Sequence, residues 1–309
     1  MHRVVIAIFF MALLLGFSAC STTEGLPTLE TMIIFGDDNS DGGAGANGLF
    51  VITDGAEPPS PPYWEGRLTN GLIYSDWLYG FLGIPYNPTE NNFAVAGATS
   101  GLPNITTGLP DGLLGQVQSY LEDHPSIASN CLSLLFAGGN NFLVPGIDPI
   151  TVIPNALDEL AQAVGLLANA GAQYIVISNI PSYGRAPFAQ PLGLRDILDF
   201  LSFTFNEKLV LLVDQLKLAH PGITFFLVNS FEFQFGAILM PELFGFTNVT
   251  DPCLLNGQIC DTPDQYLYWD EKNFSRIFHQ AWATWFADTI CADPQPFSNC
   301  DNLALLEEL

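Results

Sequence analysis

The chain has 309 residues, 49% of them apolar, enough to bury the core of one large domain. Its 32 Asp and Glu against 8 Lys and Arg give a formal charge of -24, which repels phosphate backbones and argues against nucleic-acid binding. No long acidic run or low-complexity tail accompanies the charge, so it reads as the solubilising surface of an exported protein.

The first twenty residues predict an export signal. Met1-His2-Arg3 is a short basic lead, and Val4 to Phe17 an apolar run too short to span a bilayer comfortably. Phe17-Ser18-Ala19-Cys20 resembles a bacterial lipobox, which implies a lipid anchor at Cys20; ordinary cleavage near Cys20 is the alternative. Residues 21–309 then form a single domain.

Apolar runs bounded by turn residues recur at Met32–Phe35, Phe93–Ala96, Leu132–Ala137, Tyr174–Ile180 and Ile223–Val228. Each has strand length and suits a sheet buried on both faces. Helix-period segments lie between and after them: Gly71–Leu82, Leu113–Glu122, Ile153–Ala170, Leu192–Leu218 and Ser275–Ile290. This alternation predicts an α/β fold, a three-layer α/β/α sandwich around a doubly wound, mainly parallel five-stranded sheet of flavodoxin-like type. The strands end in Gly36-Asp37-Asp38, Gly97-Ala98-Thr99, Gly138-Gly139-Asn140-Asn141 and Asn179-Ile180-Pro181. Ligands of open α/β sheets bind beyond the carboxyl ends of the strands, so these turns are expected to converge on one cleft.

Cysteine usage fits an oxidising compartment. Apart from Cys20, Cys253 and Cys260 form one close pair and Cys291 and Cys300 another, the natural pairing among three connectivities. Cys131 opens an apolar run and reads as a buried free thiol. No CxxC or HExxH is present, so neither a metal site nor a cofactor is expected.

Four ordered blocks resemble the GDSL/SGNH ester-hydrolase family: Phe35-Gly36-Asp37-Asp38-Asn39-Ser40-Asp41, Asn92-Phe93-Ala94-Val95-Ala96-Gly97-Ala98, Gly138-Gly139-Asn140-Asn141, and Tyr268-Trp269-Asp270-Glu271-Lys272-Asn273. The stretches from Pro61 to Gly71 and from Gly171 to Pro181 resemble its lipase-like branch. The resemblance implies a Ser nucleophile after the first strand, a His base near the C-terminus, and an Asp three residues before that His. It also implies an oxyanion hole made by the nucleophile's N–H, a Gly N–H and an Asn side chain. Gly97, Asn140 and Asp270 match their positions. Asp38 stands where the nucleophilic Ser is expected, serving also as the oxyanion-hole position, and Asn273 stands where the His is expected. Asn141 replaces a family Asp, and Phe274 the Pro usual after the His.

These differences are chemical. An Asn amide has no useful basicity near neutral pH, and attack by an Asp carboxylate on an ester gives a mixed anhydride less stable than the ester. The chain is therefore expected to be an impaired pseudo-hydrolase that holds a small lipid or carbohydrate ester, or a glycan, in its cleft. The alternative is an active esterase or lipase working through a displaced set, Ser40 with His279. Ser40 is expected to bond the turn backbone, His279 to be a partly exposed helix residue, and His124 and His220 to cap helix ends before Pro125 and Pro221. Two lesser readings are half of a calcium loop over Asp37-Asp38-Asn39-Ser40-Asp41-Gly42, with Gly48 where a bidentate Glu is needed, and an Asp38–Asp270 carboxylate pair of glycosidase type.

Overall fold

The apolar run after residue 30 becomes strand β1 (Thr31–Gly36), whose side chains beyond Thr31 are all buried, as expected of a strand covered on both faces. In the computed structural model, which describes residues 25–106, 109, 112–292, 294 and 296–306, β1 pairs in parallel with β2 (Cys131–Phe136). The export signal and Cys20 lie outside the described residues. β2 pairs with β3 (Tyr174–Ser178), and β3 with β4 (Thr224–Val228), all in parallel and in spatial order β1-β2-β3-β4.

The fifth strand expected over Phe93–Ala96 is reduced to a bridge between Asn92 and Ile34. The N–H groups of Phe93 and Val95 donate to the carbonyls of Ile34 and Gly36, but Ala94 N–H turns to the side-chain oxygen of Asn92 at 3.0 Å. Asn92 also donates its amide to the Ser40 carbonyl at 2.8 Å. The next rung fails because the Gly36 N–H, which would have to reach the Phe93 carbonyl, bonds the Gln116 side chain instead. The main sheet has four strands, with this segment laid along the free edge of β1. The order segment-β1-β2-β3-β4 is the doubly wound one, and the crevice beyond the strand ends falls where the chain direction reverses.

The five helices sit close to their expected spans: α1 (Tyr74–Phe81), α2 (Leu113–Asp123), α3 (Val152–Asn169), α4 (Arg195–Ala219) and a C-terminal helix over Arg276–Ile290. One more, α5 (Ser230–Leu239), follows β4 and is capped by the Asn229 side chain. With α5 counted, the helix over Arg276–Ile290 is α6, and a short helix over Asp301–Leu306 follows it. α2, α3 and α4 pack side by side as one layer, and α1 packs on α6 in the other. That second interface is aromatic: Tyr74 stacks on Phe286 at 4.4 Å, and Trp282 meets Phe136 edge-on at 5.3 Å. α1 begins where it does because Asp76 accepts the Ile73 N–H while pairing with Arg67, a buried ion pair at 2.8 Å. His124 and His220 close α2 and α4, as expected.

The disulfides are Cys253–Cys260 and Cys291–Cys300. The first ties a two-rung hairpin, β5 (Leu254–Leu255) with β6 (Gln258–Ile259), turned at Asn256-Gly257 with both residues at positive φ. Cys131 is free and buried, and burial pushes its thiol up to about 12, which makes it inert.

Candidate active site

β1 leaves the sheet at Gly36, where a Cβ would lie 2.6 Å from the Phe136 carbonyl, so only Gly lets the turn sit this close to β2. Gln116 of α2 pins that residue from both sides, accepting its N–H and donating to its carbonyl. A helical turn follows, with Ser40 and Asp41 donating to the Asp37 carbonyl. Its second residue, Asp38, reaches back over the sheet edge.

The Asp38 carboxylate lies on the two donors that the resemblance implies for an oxyanion hole. Gly97 N–H reaches Oδ2 at 3.0 Å and the Asn140 side-chain amide reaches the same oxygen at 2.6 Å. Gly97 can aim its N–H this way because its φ is +81°, and a Cβ there would meet Asn104 Oδ1 at 2.6 Å. Asn140 is oriented by a second bond, from the same amide nitrogen to the Ala98 carbonyl at 3.1 Å. Asp38, Gly97 and Asn140, expected together from separate blocks, therefore do meet.

Asp270 and Asn273 form the second half of the site. Asp270 Oδ1 accepts the backbone N–H groups of Lys272 and Asn273, each at 2.7 Å. The Asn273 amide lies 3.1 and 2.9 Å from the two carboxylate oxygens, and the Tyr63 hydroxyl donates to Oδ2 at 2.7 Å. Burial, followed by the charge of Asp270, pushes the Tyr63 hydroxyl far above its ordinary range, so it remains a donor. Asn273 thus holds the orientation of a residue bonded to the Asp without any capacity to carry a proton.

Ser40 and His279 lie elsewhere. Ser40 is fully buried, and its hydroxyl bonds the Tyr74 hydroxyl at 2.7 Å rather than the turn backbone. His279 is 2% exposed instead of partly exposed, because α6 turns it against α1, where its Nδ1 accepts the Tyr74 N–H at 3.3 Å. Burial lowers its pKa to about 3, which keeps the ring neutral. Both touch Tyr74, and neither lines the cleft cavities.

Of the calcium-loop carboxylates, Asp41 is engaged through both oxygens and Asp37 through one, its Oδ2 being buried without a partner among the described residues. Asp41 accepts N–H groups from Gly43, Leu49 and Ala96, while burial raises its pKa to about 6. Gly48, where a bidentate Glu is needed, packs so tightly on Asp41 that a Cβ would overlap its carboxylate. Asp37 is buried, its Oδ1 accepting from Asn39, and burial together with the neighbouring Asp38 charge raises its pKa well above normal. Among the described residues no three His, Cys, Asp or Glu are placed to hold a metal ion.

Two cavities meet at Asp38, and Lys272 and Asn273 border both. One, of about 20 Å³, is enclosed by Tyr183, Gln234 and Phe274 among others and has room for a single small group. The other is an open groove of about 470 Å³ with Leu49, Leu68, Ile105, Leu254 and Leu255 on its walls. Tyr183 closes the small cavity by lying over Gly139, where a Cβ would fall 2.0 Å from its ring. Sequence reasoning gave no role to Tyr63, Tyr183 or Gln116. Tyr63 sits inside a recognised stretch, while nothing in the sequence marks the other two. Asn141 holds the adjoining turn, accepting the Ser100 N–H and donating to its hydroxyl.

The chain is 28% identical over 251 residues to a phosphatidylcholine-sterol acyltransferase of Aeromonas hydrophila, covering 78% of this chain and 70% of that protein. It is 25% identical to GDSL esterase/lipase 6 of Arabidopsis thaliana, covering 84% and 86%. Among solved structures, the carbohydrate acetylesterase Est24 of Sinorhizobium meliloti superposes with a TM-score of 0.44 at 13% identity, over 84% of this chain and 98% of that one. The model of the GDSL-like lipase/acylhydrolase family matches residues 32–286, which run from β1 through the Asp38 turn and the Asp270–Asn273 loop into α6. The chain belongs to the GDSL-like lipase/acylhydrolase family.

Proposed function

We propose that this protein is an exported, single-domain member of its family over residues 21–309, in which ester hydrolysis is lost and the cleft is kept as a binding site. One observation carries the reading: the Asp38 carboxylate sits on the two donors, Gly97 N–H and the Asn140 amide, that an ester's developing oxyanion requires. A fixed negative charge there opposes the charge that acyl transfer develops. Asn273 adds to this by offering Asp270 an amide where a general base is needed. The burial of Ser40 and His279 counts against the alternative of a displaced catalytic pair. What is retained is the groove of about 470 Å³ with its apolar wall, a size suited to a small amphiphile.

Export is supported by the basic-then-apolar N-terminus and by two disulfides, which persist in oxidising compartments. An anchor at Cys20 belongs to the same proposal.

The test is hydrolysis of nitrophenyl acetate and nitrophenyl butyrate by purified protein. The expected result is no turnover above that of Asp38→Ala. Turnover in the wild type that Asp38→Ala abolishes would overturn the reading.

A further inference from the structure

The hydrogen bonding of the cleft specifies a ligand of different polarity from an ester. Both oxyanion-hole donors are spent on one oxygen, Asp38 Oδ2, so an incoming carbonyl or carboxylate finds them occupied and meets a like charge. Asp270 is saturated, with Oδ1 and Oδ2 both receiving side-chain donors and Oδ1 two backbone N–H groups as well. Asp38 Oδ1 differs: among the described residues no group donates to it. It belongs to the residue shared by the small enclosed cavity and the open groove. A partner for it must therefore be a hydrogen-bond donor, and a cationic donor is favoured by the ionised carboxylate. Lys272 borders the cleft too, but it is exposed and adjoins the exposed Glu271, leaving the carboxylates of Asp38 and Asp270 in excess.

The rest of the ligand follows from the walls. The groove that Asp38 shares has Leu49, Leu68, Ile105, Leu254 and Leu255 on its walls and Tyr63, Asn256, Asp270, Glu271 and Lys272 at its polar side. An extended apolar group beyond the cation therefore has the leucine side to lie on. Leu255 stands on the hairpin closed by Cys253–Cys260 and is 47% exposed, an apolar side chain held at the groove mouth by that staple. The geometry points to a primary alkylammonium as the ligand class, with its ammonium on Asp38 Oδ1 and its chain along the leucine-lined groove. This assignment rests on the proposed loss of ester hydrolysis, because it requires an ionised carboxylate at the nucleophile position.

Calorimetry on the full protein with decylammonium, decanoate, decanol and xylose tests it, at concentrations below micelle formation. Decylammonium is expected to bind at least about 10-fold more tightly than the other three. Asp38→Asn, which keeps the shape and an acceptor for Gly97 while removing the charge, is expected to weaken decylammonium by at least about 10-fold. Leu255→Ser, at an exposed position, is expected to weaken decylammonium but leave butylammonium unchanged, a result that does not depend on Asp38→Asn folding. Equal binding of decanoate or decanol, undiminished decylammonium binding in Asp38→Asn, or a preference for xylose would each overturn the inference, the last assigning the cleft to carbohydrate. The ester assay separates the two levels. Absent decylammonium binding with absent turnover removes only the ligand class, whereas Asp38-dependent turnover removes the functional reading beneath it.

Discussion

Asn140 donates its side-chain amide to Asp38 at 2.6 Å, so the residue at the position expected to receive an oxyanion holds an internal carboxylate. The contact joins the turn after β1 to the turn after β2. It makes the substitution at position 38 part of the structure of the cleft rather than a vacancy in it.

Restoring the reactive pair is expected to restore chemistry. Gly97, Asn140 and Asp270 are already in position, so Asp38→Ser combined with Asn273→His places a nucleophile and a base between existing partners. Nitrophenyl butyrate turnover is expected to rise by roughly 100-fold or more over either single variant, because nucleophile and base act as a unit. Single variants as active as the double would show that the frame is not that of an acyl-transfer site.

Asp270 is expected to matter for stability independently of catalysis. Asp270→Ala strands the Tyr63 hydroxyl, the Asn273 amide and two backbone N–H groups, and is expected to cost about 2–3 kcal/mol in urea unfolding. Tyr63→Phe removes one donor and leaves the others in place, for a cost of about 1 kcal/mol. Similar costs for both variants would mean that the loop is held by something other than Asp270.

His279 sets an acid limit. Its folded pKa of about 3 lies below the ordinary His value, so the unfolded chain binds the extra proton and stability falls as pH drops below about 6.5. At pH 5 that loss is about 2 kcal/mol. Asp41 acts in the opposite sense. Its folded pKa of about 6 lies above its ordinary value, so the native state binds the proton first, and stability rises by about 1 kcal/mol between pH 7 and pH 5. The Asp41 contribution offsets roughly half of the His279 loss at pH 5. His279→Gln is expected to uncover the Asp41 contribution as stability that increases from pH 7 to pH 5 in urea titrations. Parallel pH profiles for variant and wild type would remove His279 from this role.

Trp282 is fully buried among Tyr74, Phe136, Phe274 and Phe278, where α6 packs on α1 and the sheet. Trp282→Ala is expected to cost about 3–5 kcal/mol, and Trp282→Phe less, because the cavity left is smaller. Thermal unfolding of the two variants side by side measures the difference. Equal losses would point to the bond from the indole N–H to Ser230, which both remove, as the dominant contribution.

Much of the fold was legible because burial writes itself into local sequence. Continuous apolar runs marked β1 to β4, and helical spacing marked five of the six described helices of eight residues or more, within a few residues. The exception was the run Phe93–Ala96, which has the composition of a strand. The Gly36 N–H that a continued ladder needs bonds the Gln116 side chain instead, a competition that no periodicity reveals. Ser40 and His279 were misplaced for a related reason. Their surroundings are set by Tyr74 on α1, distant in sequence from His279 and reached only when α1 and α6 pack.

The sequence by itself determined the identities at the two positions that depart from the family pattern: a carboxylate at 38, and at 273 an amide with no useful basicity. That follows from side-chain chemistry and needs no coordinates. Only the tertiary structure decided what those residues do instead. The direction of the Asp38 carboxylate depends on the positive φ of Gly97, the tether between Asn140 and Ala98, and the parallel register that brings three turns to one sheet edge. These long-range contacts set the Asp38 carboxylate on the Gly97 and Asn140 donors and leave its other oxygen without a donor among the described residues.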